Sequence, residues 1–95
     1  MANSTHNSDY QLLLALIRSE RERLGVTQTE LANRLGNTQT FVSKCERGER
    51  RIDAVELVEI AEALGIQPGK LFGQFLDQRA PKPSSKTRKV GRRAT

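Results

Sequence analysis

The sequence predicts an all-α fold of five helices in one domain. Three observations lead there. Apolar residues recur at helical spacing along most of the chain, and nowhere do they alternate as in a strand. Almost every apolar segment is preceded by a residue that caps a helix start and followed by a glycine. The chain has 95 residues, room for one domain and a modest core.

Met1 to Asn7 is polar and is expected to be a flexible N-terminus, His6 included, so the domain is read as residues 8–79. Ser8 opens the first helix, with Gln11 completing a capping-box pattern. Tyr10, Leu13, Leu14 and Ile17 are spaced to face the core, Leu24 continues that face, and Gly25 ends the helix. Leu12 and Leu16 form a second stripe, for contact with the fifth helix or with a partner. The second helix starts at the capping box Thr27-Gln28-Thr29-Glu30, buries Leu31, Ala32 and Leu35, and stops at Gly36. Asn37-Thr38 caps a third helix that runs to about Arg47, buries Val42 and Cys45, and is ended by Gly48.

Arg50 and Arg51 fall in a loop. Asp53 opens a fourth helix made apolar by Val55, Leu57, Val58, Ile60, Ala61 and Leu64 and stopped by Gly65, after which Ile66 packs back. Glu56, Glu59 and Glu62 give it a solvated acidic face. Gln67-Pro68 starts a fifth helix with proline in its first turn and an apolar face of Leu71, Phe72, Phe75 and Leu76, of which the last three serve either packing or a dimer or partner surface. From Ala80 the composition shifts to Pro, Ser, Lys and Arg, and residues 80–95 read as a disordered basic tail.

Charge points to an anionic partner, with a qualification. The net charge is +5, yet residues 1–79 carry ten Lys and Arg against eleven Asp and Glu. Lys82, Lys86, Arg88, Lys89, Arg92 and Arg93 supply the whole excess. A basic total of this kind is weak evidence for a DNA-binding domain. The single cysteine forms no internal disulfide, which fits a reducing compartment. The longest apolar run, Leu12 to Ile17, is too short to span a membrane, and the start lacks the pattern of a signal peptide. A cytoplasmic, nucleoid-associated location is expected. No metal-ligand cluster, phosphate loop or nucleophile–base pair appears, so neither a cofactor nor an enzymatic activity is expected.

The second and third helices, joined by a short turn with glycine, form the skeleton of a helix-turn-helix over Thr27 to Glu46. The outward residues of the third helix are Thr38, Gln39, Thr40, Ser43, Lys44 and Arg47, all polar or cationic. A face of this composition suits phosphates and base edges. Glu46 is expected to point inward.

At Gly25-Val-Thr-Gln-Thr-Glu-Leu-Ala-Asn-Arg-Leu-Gly-Asn-Thr-Gln-Thr-Phe-Val-Ser-Lys-Cys-Glu-Arg-Gly48, and again from Val58 through Leu71, the sequence resembles the phage repressor/Cro-type (XRE-like) helix-turn-helix family. The resemblance covers about residues 10 to 76 and implies a lambda repressor-like fold. It further implies that Gln28 bonds a DNA phosphate, that Gln39, Thr40 and Lys44 read base edges, and that Thr38 and Ser43 cap the helix and touch the backbone. Arg21 and Glu46 occupy positions of a structural ion pair. Arg47, Arg50 and Arg51 join the DNA-binding set. Cys45 stands where the family usually has Leu, Ile or Tyr, and its thiol is expected to be inert. Phe41 either packs over the fourth helix or wedges against a thymine methyl group or the sugar backbone. Arg88, Lys89, Arg92 and Arg93 either contact phosphates or merely solubilise the tail.

The implied function is a sequence-specific double-stranded DNA-binding transcriptional regulator. A repressor bound as a homodimer to an inverted repeat comes first, with activation through RNA polymerase also open. The alternatives are an antitoxin-type protein with a toxin partner, and a protein-interaction module that kept the fold and lost DNA binding.

Overall fold

The computed structural model describes residues 7–79. They form five α-helices: α1 (Ser8–Arg23), α2 (Gln28–Leu35), α3 (Gln39–Glu46), α4 (Ala54–Ala63) and α5 (Pro68–Gln78). Among the described residues there is no strand. The α2–α3 pair packs against α1 through α3 and against α4 through α2, and α5 closes the bundle on α1 and α4.

Side chains at the helix starts fix most boundaries. Thr27 and Asp53 each form a capping box, with Glu30 and Glu56 returning the bond to the cap's own backbone N–H. Thr38 accepts from the Phe41 amide. Gln67 makes no side-chain cap bond, and Pro68, which lacks an N–H, begins α5. The α1 start differs from the expected capping box at Ser8. Asn7 is the cap, its Oδ1 accepting from the amides of Asp9 at 2.8 Å and Tyr10 at 3.1 Å, and Ser8 is already helical.

Leu16, Ile17, Val26, Leu31, Ala32, Val42, Ile60, Ala61, Leu64 and Leu71 form the buried core. Leu16 thus belongs to the interior and not to a separate stripe. Ala32 is 1% exposed where α2 meets its neighbours, and the lack of a longer side chain permits close approach. Five apolar residues of the helical pattern lie exposed. Leu24, the C-cap of α1, is 40% exposed and does not continue the core face. Val55 and Val58 lie on the outer side of α4, and Phe72 and Leu76 on that of α5.

Tyr10 ties α1 to the α3–α4 loop: its hydroxyl accepts from the Ile52 amide at 2.9 Å, and the Arg51 guanidinium stacks over its ring at 4.6 Å. At the other end Arg79 bonds Asp9 at 2.9 Å, joining the end of α5 to the start of α1. Among the described residues no helix is long and apolar enough to cross a membrane, and no group of three His, Cys, Asp or Glu is placed to hold a metal ion.

Candidate nucleic-acid interface

Two glycine-containing turns place α3 on the surface. Gly36 adopts φ +67°, the left-handed conformation that side chains resist, and lets the chain reverse between α2 and α3. Gly48, at φ +78°, ends α3: its amide donates to the Cys45 carbonyl, and the Glu49 amide donates to that of Lys44. This paired bonding satisfies two carbonyls that a helix end leaves orphaned.

Helical geometry then sorts the side chains. At about 100° per residue, Gln39, Thr40, Ser43, Lys44 and Arg47 fall within an arc of roughly 140°. Val42 and Cys45, on the opposite side, are 3% exposed each. Phe41, at the edge, packs against the core, with the Arg50 guanidinium 4.8 Å above its ring. Gln39, Thr40, Lys44 and Arg47 are exposed and Ser43 is half-buried.

Glu46 sits at the margin between the two sides and turns inward. It meets Arg21 of α1 through two bonds, Nε to Oε2 at 2.6 Å and Nη2 to Oε1 at 3.1 Å. Both side chains are under a tenth exposed. A third guanidinium nitrogen donates to the Val26 carbonyl at 2.7 Å. Burying two charges is tolerable when they pair and their remaining bonds are met, as here.

From this pair a hydrogen-bonded chain runs to the surface. Gln28 donates Nε2 to Glu46 Oε1 at 2.9 Å, and its Oε1 accepts from Gln39 Nε2 at 2.6 Å. The direction follows from chemistry. A guanidinium only donates and an ionised carboxylate only accepts. Gln28 must therefore turn its NH₂ inward and its oxygen outward. Gln39 must in turn give an N–H to Gln28, leaving its own oxygen and second N–H for an external group. The arrangement orients Gln39 from the interior.

The cations are held differently from one another. Arg47 forms a two-bond fork with Glu49, at 3.0 and 3.1 Å, and its Nη1 donates to the Ser43 hydroxyl. The Arg47 guanidinium holds the Glu49 carboxyl below its ordinary pKa, with Lys44 adding in the same direction. Arg50 bonds Glu56 and the Arg51 carbonyl while covering Phe41, so it braces the loop against α4. Burial pushes the Cys45 thiol above its ordinary pKa, opposed in part by the positive charge of Arg50.

The structure thus gathers Gln28, Thr38, Gln39, Thr40, Ser43, Lys44 and Arg47 around one helix and sets Arg50 and Arg51 on the loop behind it. Arg88, Lys89, Arg92 and Arg93 lie outside the described residues. Sequence reasoning missed Glu49, which the turn at Gly48 folds back toward Arg47. It also missed the Gln28–Gln39 bond, because the two residues stand eleven positions apart on different helices.

A helix-turn-helix family model matches residues 17–71. The chain is 43% identical over 49 residues to y4dJ, an HTH-type transcriptional regulator of Sinorhizobium fredii, over 52% of this chain and 62% of that protein. To y4wC of the same organism, also an HTH-type transcriptional regulator, it is 36% identical over 62 residues, or 65% of this chain and 43% of the relative. The chain thus spans roughly half the length of these curated relatives. Among solved structures, an XRE-family-like protein of Pseudomonas syringae pv. tomato superposes with a TM-score of 0.74 at 40% identity, over 81% of this chain and 94% of that one. The clp gene regulator ClgR of Corynebacterium glutamicum gives 0.69 at 26% identity, over 81% and 100%. With the five helices, the turn at Gly36 and the outward face of α3, these likenesses lead to one conclusion: the chain belongs to the XRE-like helix-turn-helix family.

Proposed function

We propose that the protein is a sequence-specific double-stranded DNA-binding transcription regulator, acting as a repressor with α3 in the major groove. The observation that carries this reading is the outward arc of α3, whose amides, hydroxyls and cations include a Gln39 amide oriented from the interior. An outward-facing glutamine with one acceptor and one donor to offer matches adenine N6 and N7. Lys44 suits guanine O6 and N7. Thr40 completes the base-reading set. Thr38 and Ser43 would meet the flanking phosphate backbone, Arg47 and Arg51 would add phosphate contacts, and Gln28, its NH₂ turned inward to Glu46, would act chiefly by orienting Gln39. Arg50 is occupied by Glu56 and Phe41 and would contribute through the loop it braces. The work of such a regulator places it in the cytoplasm, on the nucleoid, and needs no cofactor.

The protein acts as a homodimer on an inverted repeat in this reading. Support comes from the apolar side chains left on the outer surface of α5, where Phe72 is 45% and Leu76 49% exposed. A pair of helix-turn-helix units on two half-sites about one helical turn apart would place both α3 helices on one side of the duplex. Sedimentation of the full chain should give a dimer, and Leu76→Asp should shift it toward monomer. A wild-type monomer would leave this face to a different partner, either a small toxin or RNA polymerase.

Selection from a random duplex library at about 150 mM salt, where backbone binding is weakened, tests the main claim. An enriched inverted repeat is expected. Gln39→Ala and Lys44→Ala should each relax preference at one position per half-site by about 1–3 kcal/mol. Absence of enrichment would sink the reading and favour an interaction module.

A further inference from the structure

Glu49 occupies a position that the fold dictates and a pairing that the fold does not need. Its backbone is fixed by the turn at Gly48, where its amide closes on the Lys44 carbonyl at 2.9 Å. Its side chain then meets Arg47 in a fork of two parallel bonds. Both side chains remain 53% exposed, so no buried charge requires neutralising. An exposed pair of this sort adds at most about 1 kcal/mol to stability. Arg50–Glu56 makes the contrast: Glu56 is 22% exposed and also completes the cap of α4, so that pair serves the fold.

The Arg47–Glu49 fork has the geometry by which a guanidinium takes a phosphate. All three Arg47 nitrogens are engaged within the chain, two by Glu49 and one by Ser43. Lys44 lies near enough to lower the Glu49 carboxyl's affinity for protons, so the same carboxylate offsets a second cation of the arc. We propose that Glu49 is a built-in competitor for the DNA backbone: it holds Arg47 in the free protein, yields it to a phosphate on binding, and so limits the sequence-independent part of the affinity. This inference rests on the DNA-binding reading above.

The test uses the full chain, an operator-like duplex from the selection and an unrelated duplex. Binding is followed by fluorescence anisotropy from roughly 50 to 200 mM salt. Glu49→Gln should tighten binding about two- to fivefold, the range of an exposed ion pair. The factor should be the same on both duplexes, and the salt slope should steepen by up to about 0.9. Thermal stability should stay close to wild type. In an Arg47→Ala background the gain should vanish. Glu62→Gln makes the same charge change on α4, outside the Arg47 fork, and should give a smaller gain. A Glu49→Gln gain no larger than that of Glu62→Gln, or one that survives loss of Arg47, would overturn the proposal. Wild-type binding with no effect of Glu49→Gln would sink this inference alone, whereas wild-type failure to bind any duplex would remove the DNA-binding reading and this one with it.

Discussion

Glu46 serves two partners at once, since it neutralises Arg21 and receives the amide of Gln28. Removing it leaves a guanidinium that is 7% exposed, with the Val26 carbonyl retained but its near counter-charge lost. Breaking one side of a buried pair typically costs about 3–5 kcal/mol, more than the pair itself is worth. Glu46→Ala should therefore unfold at markedly lower denaturant concentration, and it should lower stability more than it alters base preference. Unchanged thermal stability would show that Arg21 finds water or another carboxylate, such as Glu22, whose oxygen is already 3.9 Å away. Cys45, one position earlier, should behave as an apolar side chain. It is 3% exposed and burial raises its thiol pKa, so both access and thiolate content are low. Alkylation at neutral pH should follow unfolding; modification of the native protein as fast as a free thiol would contradict this.

The proposed recognition helix α3 has only eight residues, too few to persist without its caps and its packing. Thr38 supplies the side-chain cap, accepting from Phe41 at 3.1 Å. Thr38→Ala should cost about 1 kcal/mol and weaken binding to all duplexes alike, because the helix start frays while the readers remain. A change confined to one base position would instead make Thr38 a reader. Such caps explain why the helices were legible from sequence: they are local, and the residue types that make them also punctuate the chain. Asn7 against Ser8 was not decidable, since both residue types cap and they are adjacent. The sides of α4 and α5 were not legible either. Apolar residues surround much of α4, so periodicity does not distinguish buried Ile60 from exposed Val55, and tertiary packing makes the choice. Within the site, the polar arc of α3 was readable from spacing alone. The Gln28–Gln39 bond and the Glu49 fork were not, because each depends on how a glycine turn brings separate segments together.

Charge is distributed unevenly along the molecule, and this bears on how affinity and specificity divide. Residues 7–79 hold ten cations against eleven acids, several of them in mutual pairs, whereas residues 80–95 hold six cations and no acid. A folded body of net charge near zero gains little from long-range attraction to DNA, so in the DNA-binding reading proposed above its affinity comes from short-range contacts of the α3 arc. We propose that the terminal cations, Arg88, Lys89, Arg92 and Arg93 among them, supply attraction that is indifferent to sequence. Each cation that neutralises a phosphate contributes about 0.9 to the slope of log affinity against log salt. Deleting residues 80–95 should flatten that slope, by up to about 5 if all six cations engage, and should weaken binding most at low salt. The sequence recovered in selection should not change, because the base readers stay in place. An unaltered slope would assign the tail no contact with DNA, whereas an altered recovered sequence would mean that the tail reaches into a groove and reads it.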